Sequence, residues 1–519
     1  MDTFTQDSLS DKGNGKVDHI ENTMEQPPAI DTTHTDEAMK VLARYTGDES
    51  WQPSDEKRLV RKVDWRLLPL LCLTYGLQYY DKAMLSQAAL FGLREDLNLL
   101  IGNRYAMSAA IFYLGFIVGA YPTMFLAQRY PIRHVAAGTV TIWGICLILT
   151  PLCHNYRSLY AQRFFLGVLE SGISPMFMMI VVRLMIQRPT RVAGIRKTNR
   201  LSGWDTCTGY VSIFSPLVNY GLGHIQGSLS SWKYMYLFAG ALTITWGLIL
   251  DFVLPPDPVS ARGFTERERY ISVARLRTNN SGVRNTHFKM GQVVELLLDP
   301  KFWLIFFTAF LAMIANAPIS TFTPIIINSF GFSTLESLLL VIPSGFYAGT
   351  MMLILPYLSY KFANKGIRSW LVIACQLVTM VASLLLLRLP LNETGGLLFA
   401  CYIMPTMGAG YAVLMGLQIA NIAGYTKRSL SSSGLYIGYC LGNFVGPLCF
   451  REQDYPRYVP GFVVTVVTTF VAGVLVFVYR VVCLRDNRRR DKTGILEGFE
   501  HAYEDDLTDK TNPQFRYTV

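Results

Sequence analysis

Two pairs of charged residues interrupt otherwise apolar stretches of this chain. Asp81 and Lys82 are neighbours in one such stretch, and Arg163 and Glu170 stand seven residues apart in another. A charge at bilayer depth costs about 2.5–3.5 kcal/mol on insertion scales, so ionisable residues there mark a pathway, a coupling ion or a bound ligand. A seven-residue spacing is about two helical turns, which puts Arg163 and Glu170 on one face, roughly 10 Å apart along the axis. Acids hold protons and bases hold anions. Two of each at the wall of one aqueous cavity would be suited to proton-coupled binding of an anion.

Asp81 is the first proton-coupling candidate. A carboxylate in a partly dehydrated cavity takes up a proton readily, and a neighbouring lysine opposes that uptake. An anion bound at Lys82 would remove the opposition, so anion and proton would each favour the other. A purely structural Asp81–Lys82 pair is the alternative. Arg163 offers two parallel N–H donors, the geometry that suits a carboxylate. It is a candidate substrate ligand, or else a permanent brace to Glu170. Gly172 and Pro175, just beyond, permit close packing and a kink.

Neutral polar and aromatic residues supply weaker substrate candidates: Gln78 and Tyr79 beside the first pair, and Asn316, Tyr347, Tyr411, Gln418, Tyr439 and Asn443 further on. Each could equally serve packing or an interhelical hydrogen bond. The strong charges fall in the first half of the chain and the neutral groups in the second. The first half is therefore expected to handle charge and the second to select the organic body. Pro318, between Asn316 and Thr321, should break its helix and free carbonyls toward a cavity.

Helices long enough to cross a bilayer must position these groups. The chain is 51% hydrophobic and only 16% charged, against about 25% charged in soluble domains. Twelve apolar stretches fit ~20-residue spans, near 67–88, 105–127, 134–154, 158–182, 203–224, 234–254, 302–327, 335–358, 369–388, 396–418, 430–450 and 460–483. The expected fold is an all-α membrane protein of 12 transmembrane helices in two six-helix bundles. Residues 1–56 read as a disordered acidic cytoplasmic tail, 57–254 as the N-terminal bundle, 255–301 as a cytoplasmic connecting loop, 302–484 as the C-terminal bundle and 485–519 as a cytoplasmic C-terminal tail. Thr265 is a candidate cap for a short helix in the connecting loop. The stretch from Pro122 to Arg133 and that from Pro356 to Arg368 are alike, as two parallel repeats require, with the site at their interface.

Charge fixes the expected orientation. Residues 1–56 hold 13 acids and 4 bases, a net of −9, so the remainder carries +19 of the total +10. Those bases sit in loops: Arg183 to Arg200, Lys361 to Arg368, Lys427 and Arg428, and Arg485 to Arg490. Such placement is the positive-inside bias of a polytopic membrane protein and not a nucleic-acid patch. Both termini then face the cytoplasm, Asn392 of the Asn392-Glu393-Thr394 sequon faces out as a glycosylation site, and Asn279 faces in. No apolar h-region opens the chain, so the first span is expected to start insertion itself. The nine cysteines are scattered without a CxxC or metal-ligand spacing, and pairing of Cys153 with Cys449 has no support from sequence.

Four stretches carry a family likeness: Tyr80-Asp81-Lys82; Arg163-Phe-Phe-Leu-Gly167-Val-Leu-Glu170-Ser-Gly172-Ile-Ser-Pro175; Asn421-Ile-Ala-Gly424-Tyr-Thr-Lys427-Arg428; and Phe450-Arg-Glu-Gln-Asp454-Tyr-Pro456-Arg-Tyr458. They resemble the major facilitator superfamily and, within it, the fungal allantoate permease family of anion:cation symporters. The resemblance covers roughly residues 57–485 and supports Glu170 as a second proton-coupling residue. Two loops depart from the superfamily pattern. Ala127-Gln128-Arg129-Tyr130-Pro131 replaces an Asp with paired glycines, a departure the symporter branch shares. Tyr360 stands where an Asp is expected, which removes the acid of the usual conformational latch.

The expected function is secondary active transport: proton-coupled symport of a small organic anion, such as a ureide, a carboxylated vitamin or a related carboxylate, by alternating access. An exporter of an acidic metabolite and a transporter-like nutrient sensor are the rival readings. No enzyme is expected, for no HExxH, Ser-centred elbow or clustered His ligands are present. No cofactor or metal is expected either. The expected partners are the anion, a proton and the lipid bilayer around a monomer, in the plasma membrane or alternatively the vacuolar membrane.

Overall fold

The computed structural model describes residues 45, 52–177, 180, 209–225, 227–254, 264–271, 288–494 and 506–519. The expectations for most of the acidic segment 1–56, for the Arg183 to Arg200 loop, and for Asn279 lie outside the described residues. No strand occurs among the described residues.

The first half comprises α1 (Pro53–Ala88), α2 (Arg104–Arg129), α3 (Ile132–Ile148), α4 (Tyr156–Glu170), α5 (residues 209–223) and α6 (Ser231–Val253). In the second half, α7 (Pro300–Ile314) passes through a π-helical turn (Pro318–Phe322) into Thr323–Asn328. It is followed by α8 (Ile342–Lys361), α9 (Arg368–Arg388), α10 (Thr394–Ile403 and Thr406–Ala420), α11 (Tyr425–Leu448) and α12 (Val459–Thr493). Among the described residues, eight helices are long and apolar enough to cross a membrane: α2, α3, α6 to α10 and α12. The other four stretches fall on the remaining expected spans. Of these, α1 carries charges in its interior and α11 opens on a run of lysine, arginine and serine.

Helix ends follow local chemistry. Pro53 opens α1, where its missing N–H is no loss, and Asp55 and Glu56 lie in the first turn, suiting the positive end of the dipole. That start lies well ahead of residue 67, because the basic stretch 57–66 continues the helix beyond the apolar span. Asn155 caps α4 by accepting from the Ser158 N–H at 2.9 Å, and Asp299 caps α7 ahead of Pro300. In the connecting loop, the Glu268 N–H donates to Thr265 Oγ1 at 3.2 Å and the Thr265 N–H returns to Glu268 Oε2 at 2.9 Å, a capping box. Lys62 of α1 pairs with the same Glu268 at 2.7 Å. All eight described cysteines are free thiols, Cys153 and Cys449 included.

Packing repeats between the halves. In the first, α3 lies along α6 and α2 along α4; in the second, α9 lies along α12 and α8 along α10. Small residues let these backbones meet, as they must where lipid supplies no hydrophobic drive. A Cβ on Gly115 would come within 2.1 Å of the Phe164 carbonyl, and one on Gly167 within 2.0 Å of the Phe112 carbonyl. The halves meet through α2 with α11 and through α5 with α8, where Tyr210 and Phe346 stack edge-on at 6.2 Å. Large apolar side chains such as Phe125, Ile142, Phe252 and Phe470 are exposed on the outer surface, the surface that lipid would cover.

Candidate functional site

Asp81 is fully buried, and its neighbours identify where it points. Trp143 of α3 and Thr243 of α6 are the polar side chains beside its carboxyl. Both Asp81 oxygens, Trp143 Nε1 and Thr243 Oγ1 are buried without a hydrogen-bond partner. Asp81 therefore faces the interior of the first half. Lys82, one position and about 100° further around the helix, faces α2. Its Nζ lies 4.9 Å from the Phe116 ring centroid and 5.4 Å from that of Phe112, within electrostatic reach of Glu170 and of Cys440 on α11. The expectation that Asp81 and Lys82 share one cavity wall is corrected: consecutive helical residues diverge, and only Lys82 looks toward the seam between the halves.

Arg163 and Glu170 bridge the gap. Arg163 is 2% exposed, and its Nη2 donates to the Tyr236 hydroxyl at 2.6 Å while its Nε has no partner. Glu170 is fully buried, and both its carboxylate oxygens lack hydrogen bonds. Gln78 donates to the Glu170 main-chain carbonyl at 3.3 Å and lies beside its carboxyl. Glu170 feels both Lys82 and Arg163, and Arg163 acts on both Glu170 and Asp81. The result is a buried row of charges, Lys82, Glu170, Arg163 and Asp81, that runs from the seam into the first half, with Glu170 also acting on Asp81 as a like charge. Its members act through space and not by contact, so the permanent Arg163–Glu170 brace is absent. Burying charges without contact partners is costly, and a proton or an anion that enters this row changes that cost directly.

The second half faces Lys82 with an aromatic and amide cluster. Tyr439 of α11 stacks with Tyr411 of α10 at 5.4 Å and with Tyr113 of α2 at 6.3 Å. Phe116 stacks on Tyr436 at 5.8 Å, and the Tyr436 hydroxyl is buried without a partner. Asn316 donates to Asn443 at 2.8 Å, which joins the break in α7 to α11. Lys82, Tyr411, Tyr439, Asn316 and Asn443 thus lie in one neighbourhood. Tyr79 lies at its edge, beside Ser212 of α5 and within electrostatic reach of Tyr113. Tyr347 bonds Thr406 of α10 at 2.9 Å. Gln418 bonds Ser431 at 2.7 Å, and Ser431 lies 12 residues, or about 18 Å of helix, from Asn443. There Gln418 lines a separate cavity of about 20 Å³ with Asn421, Lys427 and Asp509. Trp143, Thr243, Tyr236, Tyr113 and Phe116 were not legible as site residues. Each sits in an apolar run where packing is the default, and only their partners on other helices give them a role.

Opposite the end that carries the basic loops, the halves are sealed. Arg94, after α1, pairs with Glu452, after α11, at 2.9 Å with both side chains under 15% exposed. In the π-helical turn Pro318–Phe322, the Thr321 carbonyl accepts from the Tyr105 hydroxyl of α2 at 3.0 Å. Phe322 then stacks on Tyr105 at 5.4 Å and on Phe450 at 5.3 Å. Burial raises the Glu452 carboxyl above the usual glutamate range, with Arg94 pulling it back. Asn392 is exposed in the turn before α10.

The sequence profile of the Major Facilitator Superfamily matches residues 71–447. An allantoate permease of Saccharomyces cerevisiae is 31% identical, over 98% of this chain and 92% of its own length. A thiamine pathway transporter of the same yeast is 31% identical, over 92% of this chain and 88% of its own. An uncharacterized transporter of Schizosaccharomyces pombe is 31% identical, over 98% of this chain and 95% of its own. Among solved structures, the xylose transporter XylE from E. coli, in a partially occluded inward open conformation, superposes with a TM-score of 0.59 at 14% identity, covering 80% of this chain and 97% of that one. An inward-facing bacterial homolog of the human lysosomal transporter Spinster gives 0.58 at 17% identity, covering 83% and 98%.

Proposed function

Because the chain belongs to the Major Facilitator Superfamily and is a multi-pass membrane transporter rather than an enzyme, we propose that it is a proton-coupled symporter of a small organic anion. The single observation that carries this reading is the buried row of Lys82, Glu170, Arg163 and Asp81, in which neither carboxylate has a hydrogen-bond partner. The anion binds at Lys82, with its organic body against Tyr411, Tyr439, Asn316 and Asn443. It then takes over the positive charge that Glu170 feels from that side. Left with less compensation, Glu170 gains more from a proton. Once Glu170 is neutral, Arg163 holds Asp81, the second proton site, more firmly in its ionised form, so the two acids carry one proton between them. Linkage makes the effect reciprocal, so a protonated row binds the anion more tightly.

The permease relative is named for allantoate, a carboxylate, and ureide or vitamin carboxylates are the substrate class we assign. By the positive-inside bias the end with the basic loops faces the cytoplasm, and we assign uptake toward that end, from the side of the Arg94–Glu452 seam. We place the protein in the plasma membrane as a monomer, with Asn392 outside as a glycosylation site. Uptake into liposomes carrying the purified protein tests the reading, using allantoate and a panel of organic acids with and without an inward proton gradient. Asp81→Asn is expected to lose gradient-driven accumulation at least tenfold while it retains exchange of labelled anion. Accumulation that ignores the gradient in the unsubstituted protein, or full gradient response in Asp81→Asn, would refute it.

A further inference from the structure

The residues that follow α12 return to the basic end of the second half and fill a built site there. Lys427, at the start of α11, is buried, and its Nζ donates to Asp509 at 2.7 Å, to Glu295 at 2.9 Å and to Asp299 at 3.2 Å. Tyr517 donates to the other Asp509 oxygen at 2.8 Å and accepts from Lys301 Nζ at 2.8 Å. The Thr518 N–H donates to Asn421 Oδ1 at 2.7 Å, and Asn421 returns a bond to the Thr518 carbonyl at 2.8 Å. Asn487 makes the same two-way bond with the Tyr517 main chain, at 2.8 and 2.9 Å. Arg490 donates to the carbonyls of Phe515 and Asp509, each at 2.6 Å.

These partners come from separate elements: Lys301 on α7, Lys427 on α11, Asn487 and Arg490 on α12, and Glu295 on the short helix Met290–Leu297 that precedes α7. All belong to the second half, so the segment does not bar movement of one half against the other. A side chain such as Lys427, with 1% exposure and three carboxylates around it, is costly to bury unless those carboxylates stay in place. One of the three is supplied by the returning segment alone.

We infer that the basic end of the second half is a binding site for a peptide carrying an aspartate and a tyrosine, that residues 506–519 are its intramolecular ligand, and that their docking straps the ends of α7, α11 and α12 together. Asp509 is the anchor, because it joins Lys427 to Tyr517. The motif around Asn421 and Lys427 is thereby assigned to this dock and not to the transport cavity.

Deleting residues 506–519 from the purified transporter is expected to lower its Tm in detergent by several degrees and to speed amide exchange at residues 425–432 and 484–490. A synthetic peptide of residues 506–519 should restore both, and the same peptide with Asp509→Asn should bind about tenfold more weakly. An unchanged Tm and exchange after deletion, or equal binding by the two peptides, overturns the inference. If the deleted protein does not fold, the full chain with Asp509→Asn decides. Trypsin should then cleave after Lys510 at least tenfold faster than in the unsubstituted protein, and an unchanged rate overturns the inference. None of these readouts requires a transported substrate, so failure here is separable from failure of the symport reading.

Discussion

At Arg163 two jobs compete for one guanidinium. It donates to Tyr236 through Nη2, while its remaining charge serves Glu170 on one side and Asp81 on the other. Lysine in its place keeps a charge but loses the planar fork that spans two partners at once. Arg163→Lys is therefore expected to keep substrate binding within about fivefold while uncoupling proton from anion flux. Arg163→Ala should lose both, because it leaves buried Asp81 without a base and Glu170 with Lys82 alone. Flux ratios of labelled anion to protons in liposomes distinguish these outcomes, and equal ratios in Arg163→Lys and the unsubstituted protein would remove Arg163 from the coupling row. The charges themselves were legible in the sequence, since ionisable residues in apolar runs are conspicuous. Their directions were not. Helical spacing says that Asp81 and Lys82 lie on different faces, but only the identity of the neighbours, Trp143 and Thr243 for one and Phe116 for the other, says which face meets the seam.

At the scale of elements, the row keeps its geometry only if α2 and α4 stay in register. Gly115 and Gly167 set that register by letting each helix rest on the other's carbonyls. A methyl at Gly167 would stand 2.0 Å from the Phe112 carbonyl, whereas one at Gly138 on α3 meets nothing within 4 Å. Overpacking of this kind costs about 1–3 kcal/mol, while alanine for glycine at an open helical site is neutral or stabilising. Gly167→Ala is expected to lower Tm by several degrees and Gly138→Ala to leave it level or higher. Equal Tm values for the two variants would mean that α2 and α4 do not lock in this way. Spans were readable because length and apolarity are local properties, and the α7 break was readable because Pro318 carries its own cause. The fold-back of residues 506–519 was not readable. A polar, charged stretch reads as a solvated tail, and what orders it is a set of partners scattered over α7, α11 and α12.

At the scale of the whole molecule, the seal at the end opposite the basic loops decides which face of the transporter is open. Arg94 and Glu452 come from different halves and pair under a cap made by Tyr105, Phe322 and Phe450, so the seam cannot open without separating them. Either charge reversal alone, Arg94→Glu or Glu452→Arg, puts like charges together and should expose Cys440, beside Lys82, to a membrane-impermeant thiol reagent added from that side. The double reversal should close the seam again, with labelling within about threefold of the unsubstituted protein. Acid acts on the same pair with a sign that follows from linkage. Glu452 also feels Glu95, Tyr105 and Tyr458, and burial leads these influences in raising its carboxyl in the closed seam. Once the seam opens and the group is hydrated, it returns to the ordinary value of about 4.3. The closed form therefore holds the proton more tightly, and protonation favours closure. That contribution is full below the ordinary value and is lost as pH rises through the raised one. Labelling of Cys440 should accordingly fall as the bathing solution is acidified toward the glutamate range, and Glu452→Gln should flatten the dependence. A rise in labelling with acid, abolished by Glu452→Gln, would mean that the ion pair outweighs the cost of burying it and that the proton works as a key to this seam instead of a bolt.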